Sequence, residues 1–375
     1  MPRPSTLRAA LAAAALLLAT AGCTGSPTAP PAPGGQAATS QPAGSPATSS
    51  AAPGTPQVAG RVDAGLTLPW STVFLPDGTA LISERDSALL KSVPPGGSGP
   101  ATAVGKVPDV VPGGEGGLLG LAISPAFAAD RYLYAYFTAQ GDNRIARFRL
   151  EGSGARLGLG AAEVIFTGIP KASTHNGGRI RFGPDGYLYV GTGDSQRRGQ
   201  PQDRNALGGK ILRLTPEGRA APGNPFGDNP VYSLGHRNVQ GLDWDSAGRL
   251  WASEFGPDVD DELNLIVPGG NYGWPEVTGA PHHEGFLDAK VVWPSTASSS
   301  PSGLEIVGDT AYLGALRGQR LWAVPLRGEF AGDPVAYFTG EYGRIREVSL
   351  APDGRLWVLS NGQNPDFALV LSLGG

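Results

Sequence analysis

The stretch Ala172–Asp194, ASTHNGGRIRFGPDGYLYVGTGD, decides how this chain is read. Its second half alternates about a turn: Ile180 and Phe182 precede Pro184-Asp185-Gly186, and Leu188 and Val190 follow it. Asp-Gly supplies the positive φ angles of a tight turn, and a period of two gives each flanking strand one buried face, so the stretch predicts a β-hairpin. Its first half holds His175 ahead of two glycines. Gly177 and Gly178 let the backbone turn sharply or approach a ligand, which stands the imidazole at the mouth of the hairpin. A histidine there either serves chemistry or caps a loop, and this stretch alone leaves both open.

The same hairpin recurs through the chain. Phe74–Gly78 precedes Ala80–Glu84, Leu121–Pro125 precedes Tyr132–Tyr136, and Phe182–Gly186 precedes Tyr187–Val190. Further on, Trp244–Gly248 precedes Arg249–Ser253, Ile306–Asp309 precedes Ala311–Gly314, and Leu350–Gly354 precedes Arg355–Leu359. Six occurrences at intervals of roughly 45 to 60 residues fit a four-stranded blade plus insertions, and the expected fold is all-β, a six-bladed β-propeller. A sandwich rich in hairpins is the alternative, but sandwiches rarely need this length or this period. Composition agrees: among 375 residues, 57 are glycine and 35 proline, and only 17% are charged, which points to short strands and turns rather than helical bundles. A net charge of -4 gives no electrostatic reason to expect a nucleic-acid partner.

Residues 1–23 read as a targeting segment: Arg3 and Arg8 precede an Ala/Leu run over 9–19 that is too short to span a bilayer. The run ends at Thr20-Ala21-Gly22-Cys23, and small residues before the chain's single cysteine resemble a bacterial lipobox, although Thr20 stands where Leu or Val is usual. Cys23 is then the lipidated N-terminus of a lipoprotein outside the cytoplasm, anchored to the cell membrane, with simple secretion as the alternative. Residues 24–58 are Pro/Ala/Ser/Thr-rich and, up to that point, uncharged, so they cannot bury enough apolar surface to order themselves and are expected to tether the anchor to a folded domain over 59–375.

Loops leading into innermost strands converge on a propeller's channel, and four of them stand out. They are the glycine-rich 113–120 around Glu115, the His175 loop, Leu234–Leu242 with His236, Arg237 and Asn238, and 253–264 running on to Gly269–Pro275. At these loops the chain resembles the soluble glucose/sorbosone dehydrogenases, pyrroloquinoline-quinone-dependent aldose sugar dehydrogenases. GLLGLAISPAF, HNGGRIRFGPDGYLYVGTGD, GHRNVQGL and DDELNLIVPGGNYGWP carry the resemblance, which spans about Gly65 to Leu371. The family fold is a six-bladed propeller, in agreement with the repeat.

The resemblance implies oxidation of an aldose sugar at C1 to its lactone, with electrons passed through the quinone to an external acceptor. His175 matches the catalytic base, a role suited to a neutral imidazole. Arg237 and Asn238 match a pair at the cofactor, where a guanidinium stabilises charge developing on the quinone oxygen. Arg317, Arg344 and Arg346 stand like the basic residues that hold the cofactor's carboxylates. Arg344 and Arg346, two apart on a predicted strand, face one way; without the resemblance they could equally be a solvated strand face. Calcium is implied at the carbonyls of Gly256 and Pro257 as a Lewis acid. The run Asp258, Asp260, Asp261, Glu262 could add a second calcium site or simply cap its loop, with Glu262 the best structural ligand and Tyr272 in the same matching segment. His236 is expected to orient its loop, while His282 and His283 fall in an exposed insertion.

Two positions depart from the family. Glu115, at the cofactor, replaces its usual glutamine, and Phe255 replaces a glutamine or histidine beside the metal. Two other functions are therefore kept: a non-catalytic carbohydrate- or protein-binding propeller, and a calcium-dependent lactonase, which would want several carboxylates and an asparagine converging on the metal.

Overall fold

The computed structural model describes residues 54–374. The chain enters through β1 (Pro56–Leu66) and then builds the first blade from β2 (Pro69–Phe74), β3 (Ala80–Glu84), β4 (Leu89–Val93) and β5 (Thr102–Lys106). The second blade is β6 (Leu118–Ile123), β7 (Tyr132–Thr138), β8 (Asn143–Glu151) and β9 (Gly158–Ile169). The third is β10 (Ile180–Phe182), β11 (Leu188–Gly191), β12 (Lys210–Leu214) and β13 (Val231–Leu234). The fourth is β14 (Val239–Trp244), β15 (Leu250–Glu254), β16 (Asp261–Ile266) and β17 (Val291–Trp293). In the fifth, β18 (Pro301–Val307) and β19 (Thr310–Ala315) lead to β20 (Arg320–Arg327), which pairs with both β21 (Phe330–Ala331) and β22 (Val335–Tyr337).

The sixth blade, β23 (Ile345–Leu350), β24 (Leu356–Ser360) and β25 (Asp366–Leu373), takes β1 as its outer strand. Register runs from Pro56 opposite Leu373 to Leu66 opposite Asp366, so the two ends of the folded chain share one sheet and close the ring. The strand begins at Pro56, close to the expected start of the fold and just inside the segment read as tether; Pro56, Val62, Ala64 and Leu66 are its buried residues.

Each hairpin read from the sequence is the inner pair of one blade: β2–β3, β6–β7, β10–β11, β14–β15, β18–β19 and β23–β24. The pairing Ile180 with Val190 and Phe182 with Leu188 is the register the decisive stretch predicts. The turn differs in detail: among its residues, positive φ falls on Gly186 alone, at 77°, while Asp185 accepts a hydrogen bond from the Tyr187 N–H.

The expectation of one buried face per strand needs correction, because β11 is buried throughout. Blades pack face to face, so Leu188 and Val190 join the core shared with the second blade while Tyr189 enters the core shared with the fourth. Six such apolar clusters are found among the described residues, one at each blade interface, and the interface between the sixth and first blades holds Val62 and Leu66 of β1 against Ile82 and Val93. Burying a large side chain in such a layer contributes roughly 1.5–3 kcal/mol, so the ring is held by its interfaces rather than by a central core.

Candidate active site

The start of each innermost strand faces one end of the channel. Because the strands of a blade alternate in direction, the loop after each second strand opens at that same end. Together these loops surround a cavity of about 340 Å³. Loops leading into inner strands supply Glu115, His175, Arg237 and Arg344, and loops following second strands supply Arg85, Phe255, Gly256, Pro257 and Arg317. Arg346 of β23 and Trp70 of β2 line it from the strands themselves.

His175 sits in the left-handed region with φ 58°, followed by Gly177 at 63° and Gly178 at 115°. Hydrogen bonds with Glu115, Ser195 and Asp194 hold it there. Its backbone N–H donates to Glu115 Oε2 at 2.7 Å, its carbonyl accepts the Ser195 N–H at 3.2 Å, and its Nδ1 bonds Asp194 Oδ1 at 2.8 Å. A glycine at 193 is required beneath it, since a Cβ there would lie 1.9 Å from the His175 carbonyl oxygen.

The Asp194 carboxylate also accepts the Trp274 indole N–H at 2.8 Å and the Gln196 N–H at 2.9 Å. Burial pushes this carboxyl up, but the donors from His175, Trp274 and Gln196 outweigh burial and hold it below the usual carboxylate range. An ionised Asp194 takes a proton donor from Nδ1, so the imidazole presents Nε2 as its lone-pair nitrogen. That is the tautomer a proton acceptor needs.

Arg237 is set by a second dyad. Glu254 accepts the Arg237 backbone N–H at 2.7 Å and His236 Nδ1 at 2.7 Å, while His236 Nε2 meets Ser233 Oγ at 2.8 Å. His236 is fully buried and stacks on Tyr272 at 4.7 Å, as its loop-orienting reading requires. The Arg237 guanidinium bonds the Phe255 carbonyl at 3.1 Å and lies over Trp274, yet its buried Nε has no partner among the described residues. Asn238 stands behind the cavity wall: its Oδ1 accepts the Gly177 N–H at 2.9 Å, and its buried Nδ2 has no partner.

Arginines outnumber carboxylates in the cavity lining, five against Glu115 and Asp261. Arg346 is buried, with one nitrogen bonded to the neutral Gln240 at 2.7 Å and to Ser302 at 3.2 Å, and its Nε unpartnered. Burial first, then the like charges of Arg344 and Arg85, pushes it down to about 9, with Glu115 acting the other way. Arg344 is lowered by burial and by Arg85 and Arg317, again opposed by Glu115. Arg179 forms a buried pair with Glu347 outside this cavity, and both Arg179 and Arg346 lie over Trp70 at 4.6 and 5.7 Å. Guanidiniums crowded in this way, short of carboxylate partners, make an anion site.

Of the proposed metal residues, Gly256 and Pro257 reach the cavity, and among the described residues neither carbonyl accepts a hydrogen bond. Glu262 and Tyr272 do not line it. Asp261 and Glu262 are successive on β16, so their side chains leave opposite faces: Asp261 enters the cavity, and Glu262 points away from it. Glu262 accepts the Gly279 N–H at 2.6 Å and Asn264 at 2.9 Å, and burial with the facing Glu254 pushes it well above the ordinary carboxylate range. The Tyr272 hydroxyl donates to the Leu265 carbonyl at 2.6 Å and accepts the Val267 N–H at 3.0 Å. Asp261 accepts the Gly256 and Ser300 N–H groups and is pushed by burial to about 6.

Sequence reasoning missed Arg85, Trp70 and the orienting role of Asp194. The available signal was topological, since Arg85 and Asp194 each lie just after a second strand, in loops that open at the same end as those leading into inner strands.

Residues 66–369 match the sequence pattern of the glucose/sorbosone dehydrogenase family. The chain belongs to that family. It is thus an oxidoreductase, and its relatives include dehydrogenases of aldose sugars and glucose. The aldose sugar dehydrogenase YliI of Escherichia coli is 30% identical over 341 residues, covering 80% of this chain and 89% of that protein. The PQQ-bound aldose sugar dehydrogenase of Streptomyces coelicolor superposes with a TM-score of 0.82 at 49% identity, over 86% of this chain and 99% of that one. The soluble aldose sugar dehydrogenase of Escherichia coli, solved in its apo form, gives a TM-score of 0.76 at 27% identity, over 85% and 99% of the two chains.

Proposed function

We propose that the protein is a quinoprotein that oxidises an aldose at C1 to its lactone. One observation carries this reading: a single cavity joins an imidazole oriented by a carboxylate to Arg237, Arg317, Arg344 and Arg346, guanidiniums with no carboxylate partner among the described residues. Pyrroloquinoline quinone fits that donor set, because its carboxylates need several cations and the unpartnered nitrogens of Arg346 and Arg237 are buried beside the space it would fill. When bound, the cofactor supplies the acceptor for the hydride that leaves the sugar's C1.

The chain does the rest. His175 takes the proton of the C1 hydroxyl on Nε2 as the hydride departs, so the sugar loses a hydride and a proton, two electrons and two protons in all, and its C1–O bond becomes a carbonyl. Asp194 holds the imidazole and stabilises the positive charge it acquires. Arg344, Arg346 and Arg317 hold carboxylates, and Arg237 offers a fixed positive charge where negative charge develops. The free carbonyls of Gly256 and Pro257 would hold calcium, a hard cation that takes oxygen ligands and supplies Lewis acidity. The reduced site would be reoxidised by an external acceptor. Lipidation of Cys23, which lies outside the described residues, would keep the enzyme at the outer side of a membrane.

His175 and Arg344 test the division of labour. His175→Ala should leave quinone binding in place and lower sugar oxidation by on the order of a hundredfold or more at saturating cofactor. Arg344→Ala should instead weaken quinone binding by at least about tenfold, the loss of one charge-assisted contact. Full turnover by His175→Ala under those conditions would remove the base from the account.

A further inference from the structure

Glu115 bonds twice to the segment that ends at the imidazole. Its N–H donates to the Ser173 carbonyl at 2.8 Å, and its Oε2 accepts the His175 N–H at 2.7 Å. The loop is fitted for this approach: Gly113 bridges Gly116, and a Cβ on Gly114, at φ 58°, would lie 2.1 Å from the Ser173 carbonyl oxygen. Accepting a backbone N–H needs an oxygen and no charge, so glutamine would do as well. The negative charge has a separate consequence, because Glu115 shares the cavity with Arg85, Arg237, Arg317, Arg344 and Arg346, and Asp261 is the other carboxylate lining it.

We infer that Glu115 is a resident counter-anion of the arginine cluster, whose charge stabilises the cofactor-free cavity and limits the affinity for a polycarboxylate, while its oxygen positions His175. From that position its charge opposes the lowering that burial imposes on the pKa of Arg237, Arg344 and Arg346. An incoming tricarboxylate competes with that charge for the same cations and is repelled by it. This assignment rests on the quinone reading of the site, but the charge balance it describes exists without the cofactor.

The test compares wild type, Glu115→Gln and Glu115→Leu. In cofactor-free protein at low salt, Glu115→Gln should melt below wild type, and added chloride should narrow the difference by screening the arginines. Titrated with pyrroloquinoline quinone, Glu115→Gln should bind more tightly by on the order of tenfold, the effect of removing one like charge from a partly buried anion site. At saturating quinone Glu115→Leu should turn over sugar more slowly than Glu115→Gln, because the amide oxygen still receives the His175 N–H and the leucine does not. Equal or weaker quinone binding by Glu115→Gln overturns the counter-anion role, and equal turnover of the Gln and Leu variants overturns the positioning role. If neither wild type nor Glu115→Gln binds quinone, the cofactor reading falls, and the low-salt melting pair then decides the counter-anion role: a lower melting point in Glu115→Gln supports it and equal values refute it.

Discussion

At the scale of single residues, the site depends on His175 being held where a side chain rarely goes. A non-glycine residue at positive φ is strained, and Glu115, Ser195 and Asp194 together fix it. The Asp194 contact also sets a pH dependence. A carboxyl held below its ordinary range stabilises the fold at pH values above its unfolded pKa of about 4, and that stability is lost as the pH falls through the lower folded value. Asp194→Asn should therefore melt below wild type at neutral pH, and the gap should close on acidification past about pH 4; a gap independent of pH would refute the ionised dyad. His175 was legible in the sequence because glycines and a turn surrounded it. Asp194 was not singled out, since one aspartate ending a strand looks like a cap until the third blade's loops are folded back over each other. Adjacent carboxylates look alike in sequence, and only the pleat of β16 sends Asp261 into the cavity and Glu262 away from it.

Among the elements, β1 carries more of the fold than its polar surroundings suggest. It supplies the outer strand of the sixth blade, and Val62, Ala64 and Leu66 pack in the interface with the first blade. Removing residues 54–66 would expose the edge of β25 and strip three apolar side chains from that interface. The truncated protein should lose cooperative thermal unfolding or aggregate, as calorimetry and light scattering would report; an unchanged transition would mean that ring closure is not made by this strand. The inner hairpins were readable because turn chemistry and strand period recur together. Closure was not, since the pairing of β1 with β25 joins residues about 300 positions apart and leaves no local pattern. Nor was the loop bearing Arg85, because its place at the channel follows from strand direction and not from composition.

At the scale of the whole molecule, a ring of like blades provides a rigid frame, and the six loop pairs at one end are free to differ. Function then lies in a few side chains brought to one axis from distant parts of the chain: Glu115, His175, Arg237, Arg317, Arg344 and Arg346 share one cavity although they span more than half of the sequence. Anchoring belongs to this scale too. If Cys23 is lipidated, wild-type protein should sediment with membranes and Cys23→Ser should be released or remain unprocessed; unchanged membrane association with normal maturation would dispose of the anchor. The central claim, that this cavity is a quinone site for sugar oxidation, is tested most directly by adding pyrroloquinoline quinone and calcium to purified cofactor-free protein and following quinone absorbance together with aldose-dependent dye reduction. The account predicts stoichiometric, saturable quinone uptake and sugar oxidation that appears only when quinone is present. Protein that takes up no quinone, or that holds quinone yet leaves every aldose unoxidised, would contradict it.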